Sequence, residues 1–363
     1  MKTVLILTNS INGLYSFRRE LIERLINEKN AVIISSPQGT KSSYFKQIGC
    51  QFIETSINRR GKNLIADFKL LINYLKIIRS VKPDVVLTYT IKPNIYGGMI
   101  CRLLGVPYLT NITGLGTAVE NKGILQYVTT CLYRISLKKA HCVFFQNEEN
   151  MAFMRNRKIV KDNYKLIPGS GVNLEYYQFL DYPNTDNIHF LYISRIMKEK
   201  GIEQYLEAAK YIKRKYPNTF FHVIGNCEEN YIEILNGLEK EGIIIYHGRQ
   251  DDVREFHKIS HCTIHPTYYP EGMSNVLLES AACGRPIITT DRSGCREIVD
   301  DGVNGYIVKQ KDSKDLIDKI EKFINIDNGV RKQMGQAARK KVEREYNREI
   351  IVRAYLYEIK NMY

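Results

Sequence analysis

The chain has 363 residues, long for one domain and comfortable for two of ordinary size. A hydrophobic content of 44% with 25% charged residues is that of a soluble globular protein, and no uninterrupted apolar run is long enough to cross a bilayer, which excludes an integral membrane protein. The net charge of +14 is carried by one half: residues 1–168 hold 25 Lys+Arg against 10 Asp+Glu, a balance of +15, and the remainder hold 28 against 29, a balance of −1. A basic half points to an anionic partner, which nucleic acid, a phosphorylated substrate or the cytoplasmic leaflet would each satisfy. None of the eight cysteines stands in a C-x-x-C pair, most lie in apolar runs, and the start does not read as a signal peptide. The expectation is reduced, buried thiols in a cytoplasmic protein.

The first half alternates strands and helices. "KTVLILT" reads as a strand and "SFRRELIERLINE" as a helix with apolar residues at helical spacing. The strands "AVIISS" and "CQFIET" follow, separated by a helix-like stretch. The longer helix "KNLIADFKLLINYLKIIRSVK" is stopped by Pro83 before the strand "DVVLTYT". Next come the helical "NIYGGMICRLLG", the strand "PYLTNIT", the helical "GILQYVTTCLYRISLKKA" and the strand "HCVFFQ". "YKLIPGSGVNLEYY" reads as a connector. A second series then runs "IHFLYIS", "GIEQYLEAAKYIKRKY", "TFFHVIG", a helix, "IIIYHG", another helix, "HCTIHPT", the helix "MSNVLLESAACG", "PIITT" and "GYIV". Such βαβα alternation calls for parallel sheets covered by helices on both faces. The expected architecture is α/β: two Rossmann-like domains, residues 1–168 and 169–344, with segment 345–363 packing back on the first. Two such sheets joined by a linker leave a cleft between facing strand ends.

The second half carries a set of short motifs in a fixed order. They are "SRIMKEKGIE" with Arg195, Lys200 and Gly201, "HVIGN" with Gly225, and "YHGRQDDV" with Gly248 and Arg249. Then come Glu271 and Glu279, spaced E-x7-E in "PEGMSNVLLESAACGRP", and "GRPIITTDRSGCREIVDDGVNGYIV". Together they resemble the C-terminal domain of family 4 retaining glycosyltransferases, which have the GT-B architecture of two facing Rossmann-like domains. The resemblance spans almost the whole half.

Each motif also has a physical reading. Arg195 and Lys200 follow a strand and precede a helix, so both can reach an anion over that helix start, as a departing diphosphate requires. Glu271 sits beside the unpaired amides of a helix start, with Ser274 or Asn275 available as N-cap and Gly284 as the stop. Glu279 lies about one turn further in. The resemblance implies that Glu271 contacts the donor sugar, that the amides of Gly272, Met273, Ser274, Asn275 and Val276 face sugar and phosphate, and that Glu279 bonds the ribose diol. It also implies that backbone groups of Arg249 hold the base, that Gly225 belongs to the donor site, and that the donor is a UDP-sugar. In the first half, "NSINGLYSF" resembles the family's glycine loop, where Gly13 lets the backbone approach donor phosphate or acceptor.

The chain departs from the family at Thr113, where many members have a histidine before a glycine. A hydroxyl cannot carry the imidazole's positive charge, so steadying the donor sugar falls to Thr113, Asn111 or another group. The variant "TGLG" and the upstream "YTIKPNIYGG" with Lys92 resemble relatives that extend lipid-linked oligosaccharides for capsule, O-antigen or glycoprotein synthesis. The implied acceptor is a polyprenyl-diphosphate saccharide, its diphosphate near Arg18, Arg19, Arg59 or Arg60. Two amphipathic helices with Lys69, Lys76, Arg79, Arg134, Lys138 and Lys139 add an anionic membrane surface as a partner. Most of each apolar stripe is expected to pack on the sheet, leaving the cationic edges and some exposed aromatics for the leaflet. His257, His261 and His265 cannot share one helix face and no Asp-x-Asp accompanies them, so no metal is expected, and no cofactor beyond the donor. The expected activity is a metal-independent retaining hexosyltransferase, peripheral on the inner face of the cell membrane. It would move a sugar, preferably N-acetylhexosamine, from UDP to an undecaprenyl-diphosphate saccharide, with the acceptor proton passing to the donor phosphate. Two rivals remain. A UDP-sugar 2-epimerase of the same fold would need no acceptor, and a nucleic-acid-binding protein would use the basic half, though no known nucleic-acid motif appears.

Overall fold

The computed structural model describes residues 1–58, 63–116, 119 and 123–362, and the chain divides into two compact units. The first comprises Met1–Ser170 with Arg348–Tyr363, and the second Gly171–Asn347. The sequence boundary at 168/169 thus lies two residues before the structural one.

Among its described residues the first unit builds a seven-stranded parallel sheet. Its strands are β1 (Thr3–Leu7), β2 (Ala31–Ser36), β3 (Gln51–Glu54), β4 (Val85–Tyr89), β5 (Tyr108–Ile112), β6 (Cys142–Phe145) and β7 (Tyr164–Leu166), in the order β3-β2-β1-β4-β5-β6-β7. The central strands read as unbroken apolar runs because both of their faces are covered. Val4 and Ile6 pack under the helix Ile11–Asn27 and the C-terminal helix Arg348–Lys360, whereas Leu5 and Leu7 face the helices Leu64–Val81 and Ile124–Leu137. The C-terminal helix is fastened to Ile11–Asn27 by Arg348 and Glu20, 3.0 Å apart.

Local signals set the helix ends. The first helix begins at Ile11, not near Ser16 as its apolar period indicates, because the Ser10 hydroxyl caps it by accepting from the Gly13 amide at 3.1 Å. Leu64–Val81 is capped by Asn63, which accepts from the Ile65 and Ala66 amides, and it ends at left-handed Lys82 just before Pro83.

The second unit repeats the plan, with six parallel strands among its described residues: β8 (Ile188–Ile193), β9 (Thr219–Ile224), β10 (Ile245–Tyr246), β11 (Cys262–His265), β12 (Ile287–Thr290) and β13 (Gly305–Val308). Their order is β10-β9-β8-β11-β12-β13. Phe190, Tyr192, Phe221 and Val223 pack against the helices Ile202–Lys215 and Ser313–Asn325. On the other face Leu191, Ile193 and Ile224 meet Val253, Phe256 and Val276. Both sheets therefore reverse their strand order beside the first strand of the series, at β1/β4 and at β8/β11. In open parallel sheets ligands bind outside the carboxyl ends of the strands at such points.

Candidate active site

The loops leaving β8 and β11 meet at the reversal point of the second unit, and glycines let them come close. Gly201 has φ +75°, and a Cβ there would lie 2.1 Å from the Pro266 carbonyl oxygen, so the loop of residues 194–201 can press against the loop after β11 only with glycine at this position. Gly225, at φ +152°, would place a Cβ 1.7 Å from the Ser194 oxygen. Its role in the structure is to let the turn after β9 pass against the end of β8. Backbone bonds from Ile196 to Asn226 (2.9 Å) and from Glu228 to Ile196 (3.1 Å) then fix the backbone on either side of Arg195.

Five side chains converge on this seam. Lys200 is buried and its ammonium contacts the Glu271 carboxylate. The same ammonium lies 4.8 Å from the centre of the Tyr269 ring, and the Arg195 guanidinium carbon lies 5.1 Å from that centre. Arg195 donates to Glu228 at 2.9 Å. Two like charges thus share one aromatic ring and are balanced by two carboxylates, an arrangement ready to receive a dianion. Tyr269, Glu228 and Gly294 escape sequence reasoning, since each acts through a contact between loops distant along the chain. An aromatic pair directly before "PEG" was the available signal for Tyr269.

Glu271 stands ahead of the helix Asn275–Ala282. The Ser274 amide donates to the Gly294 oxygen at 2.7 Å, and a Cβ on Gly294 would come within 2.7 Å of the Gly272 oxygen, so the loop at 291–297 clamps this approach. Ser274 occupies the N-cap position in extended conformation, yet its side chain makes no capping bond, contrary to the sequence expectation. The Ser274 hydroxyl thus does not occupy the amides of the first turn, and a helix start attracts an anion. The Met273 side chain belongs to the core. Glu279 is half-buried one turn on, and the Tyr177 hydroxyl turns toward it; burial and then the Glu279 charge push that hydroxyl's pKa up. Burial, and then Glu271, raise the Cys295 thiol behind the site. Burial, with the Lys200 charge behind it, pushes the His265 imidazole down to about 3. Arg249 is exposed and pairs with Asp251 at 3.5 Å.

Of the residues named in the first unit, Arg18 and Asn111 meet at the Tyr355 side chain, while Arg19 and Lys92 have other partners. Gly13 lies inside the first turn of a helix rather than in a loop. Arg18 is buried: it donates to the Phe17 carbonyl at 2.7 Å and lies against the rings of Tyr89 and Tyr355. Arg19 bonds the Tyr15 hydroxyl at 3.0 Å and pairs with Glu20 and Glu23. Lys92 pairs with Asp67 at 2.6 Å. Asn111 is buried, donating to the Tyr355 hydroxyl at 2.8 Å and accepting from Gln146 at 3.2 Å. Thr113 is half-buried at the end of β5. Arg59 and Arg60 lie outside the described residues.

Among the described residues no group of three or more His, Cys, Asp or Glu side chains is disposed to hold a metal. The imidazoles of His257, His261 and His265 go to separate surroundings; that of His261 accepts from the His189 backbone at 3.1 Å.

Two family models match the chain. One, described as Glycosyl transferase 4-like, covers residues 4–147, and the other, Glycosyl transferases group 1, covers residues 181–341. The chain is 27% identical to the N,N'-diacetylbacillosaminyl-diphospho-undecaprenol alpha-1,3-N-acetylgalactosaminyltransferase of Campylobacter jejuni, over 95% of its own length and 94% of the relative's. It is 24% identical to the UDP-Gal:alpha-D-GlcNAc-diphosphoundecaprenol alpha-1,3-galactosyltransferase of Escherichia coli, over 93% and 90% of the two chains. The crystal structure of Anabaena HepE in complex with UDP and glucose has the same fold, with a TM-score of 0.82 over the full length of both chains at 15% identity.

Proposed function

The chain belongs to the glycosyltransferases, its halves matching the 4-like and group 1 families, and from that premise we propose that it is a retaining enzyme that moves a sugar from a UDP-sugar to a hydroxyl of an undecaprenyl-diphosphate-linked saccharide. The observation that carries this reading is the seam at β8 and β11, where Arg195, Lys200, Tyr269 and Glu271 meet beside the start of the helix Asn275–Ala282. As the bond between the anomeric carbon and the diphosphate breaks, negative charge grows on the leaving oxygens. Arg195, Lys200 and the first-turn amides would neutralise it there, more strongly in the transition state than in the ground state.

Lys200 and Arg195 are held by Glu271 and Glu228 in the structure, so donor binding would exchange those carboxylates for diphosphate oxygens. Glu271, released from Lys200, would then be free to bond the hydroxyls of the donor sugar. Glu279, oriented by Tyr177, would take the ribose diol. The acceptor hydroxyl would attack on the face the diphosphate leaves, passing its proton to a phosphate oxygen, so the chain need not supply a base. The name of the Escherichia coli relative gives its product linkage as alpha-1,3, the outcome that retention would have from a donor linked α to UDP.

The acceptor class follows both relatives named above, and the preference for N-acetylhexosamine follows the Campylobacter jejuni one. We assign the acceptor diphosphate and an anionic membrane surface to the basic first unit. No helix among the described residues is long and apolar enough to cross a membrane. The assignment we make is peripheral, to the inner face of the cell membrane.

The test is a panel of UDP- and GDP-sugars with an undecaprenyl-diphosphate saccharide, read by product mass. Transfer should require a UDP-sugar and acceptor together, and Lys200→Ala and Glu271→Ala should abolish it. UDP release without acceptor would favour the 2-epimerase, and full turnover by both variants would remove the proposed site.

A further inference from the structure

We propose that the first turns of two helices in the first unit, carrying Leu64, Ile65 and Phe68 on one and Ile124, Tyr127 and Val128 on the other, insert into the headgroup–acyl boundary of an anionic bilayer. This deepens the membrane assignment made above and rests on it.

The starting observation is exposure in a concentrated place. Leu64 is 81% exposed, Phe68 64%, Ile124 84% and Tyr127 71%. Large apolar side chains scattered singly on a surface need no explanation, whereas several on the leading turns of two helices do. The period of each helix is met further along: Leu70, Tyr74, Ile77 and Ile78 are buried, as are Tyr133 and Leu137. Core packing therefore accounts for the body of each helix and leaves the first turns unexplained.

Topology places both turns at one edge. A helix between two parallel strands starts at the carboxyl edge of the sheet and runs back. Leu64–Val81 connects β3 to β4, and Ile124–Leu137 connects β5 to β6. Both pack on the helical segment from Pro93 to Leu104, hence on the same face of the sheet. Length explains the overhang. Eighteen helical residues span about 27 Å, against about 17 Å for a five-residue strand, so the leading turns project beyond the strands that support them.

Charge selects the bilayer as occupant. The half-chain 1–168 carries 25 cationic against 10 acidic residues. Exposed Lys69 directly follows Phe68 on the first helix, and exposed Arg134 follows the apolar turn of the second by less than two turns, whereas Lys76, Arg79, Lys138 and Lys139 lie toward the far ends of the two helices. Both helices present their amino ends, the positive pole of the backbone dipole, to this edge. The acid in the first turn of the first helix, Asp67, is occupied by Lys92 at 2.6 Å and Tyr96 at 2.9 Å, and the second has no acid in its first turn. Apolar tips backed by cations match an interface of acyl chains beneath phosphates. The sequence expectation gave the leaflet the cationic edges and some exposed aromatics, and the exposure of Leu64, Ile65, Ile124 and Val128 adds aliphatic side chains to Phe68 and Tyr127.

The chain has no tryptophan, so a single introduced one reports its own surroundings. Phe68→Trp and Tyr127→Trp should each shift their emission to the blue on phosphatidylglycerol vesicles and be quenched by brominated acyl chains, with little change on phosphatidylcholine alone. Tyr357→Trp, on the exposed side of the C-terminal helix, should do neither. The double variant Phe68→Ser, Ile124→Ser should weaken vesicle binding by about tenfold or more, as loss of inserted apolar area requires, while keeping its melting temperature and its affinity for UDP. Unshifted emission at 68 and 127, an equal shift at 357, failure of the unaltered protein to bind the vesicles, or undiminished binding by the double variant would each overturn the inference. If the unaltered protein binds vesicles in this manner but neither binds UDP nor transfers sugar, the insertion stands and the glycosyltransfer reading falls.

Discussion

Acidifying the protein from neutrality to about pH 5 is expected to unfold the second unit before the first. Six of the seven histidines lie between His189 and His265, all in the second unit, and four of them are buried: His222, His257, His261 and His265. Burial pushes each of these four imidazoles down to about 3. Neighbouring groups add to the effect: His189 and His247 beside His222, Arg285 beside His257, His189 and Arg331 beside His261, and Lys200 beside His265. The unfolded chain titrates these groups near 6.5, so below that pH it binds more protons than the folded one. The stability contributed by the neutral imidazoles is complete above about 6.5 and is lost as the pH falls toward 3. At pH 5 each site costs about 2 kcal/mol, or about 8 kcal/mol for the four, which is comparable to the whole stability of a typical domain. Calorimetry from pH 7.5 downward should resolve two transitions, the acid-sensitive one assigned to residues 171–347 by hydrogen exchange. His265→Leu should move that transition to lower pH. Coincident, pH-independent unfolding of both units down to about pH 4.5 would refute the reasoning.

Other perturbations follow from single contacts. Tyr269→Phe keeps the ring beside Arg195 and Lys200 and loses only the hydroxyl's hydrogen bond with Arg195, so it should lower kcat/KM for the UDP-sugar less than Tyr269→Leu, which also loses about 0.5–2 kcal/mol of cation–ring attraction, a further factor of about 2 to 30. Gly201→Ala meets both a left-handed φ and the Pro266 carbonyl; strain of about 1–3 kcal/mol or more should lower the melting temperature and weaken UDP binding, measured together by titration calorimetry. Arg285 is fully buried and donates to the carbonyls of His257 (2.7 Å), Asp181 (2.8 Å) and Leu180 (3.1 Å); Arg285→Met strands these acceptors and should cost about 3–5 kcal/mol in urea unfolding, with UDP affinity retained at temperatures where the variant is folded.

The sheets were legible in the sequence because parallel strands covered on both faces must be apolar throughout, as Val85–Tyr89 and Ile287–Thr290 are. That Arg195, Lys200, Glu271 and Glu279 lie beside strand ends and helix starts was legible because such ends can be located from local signals. Contacts that depend on which loops meet were not. Nothing local to "DRSGC" says that Gly294 presses on Gly272, and nothing local to Arg18 says that Tyr89 and Tyr355 will close over it. Ser274 shows the converse, a good capping residue whose hydroxyl does not cap, since the Gly294 carbonyl takes its amide and the clamp sets the approach. The same limit applies to the two amphipathic helices. Apolar period identifies the face of a helix that avoids water, but not the matter that covers it. On Leu64–Val81 one apolar pattern runs from the first turn to the last; Tyr74 and Ile78 are buried against the sheet, and Leu64 and Phe68 are exposed. What separates the two sets is which turns of the helix the neighbouring elements reach, a property of the fold and not of its residues.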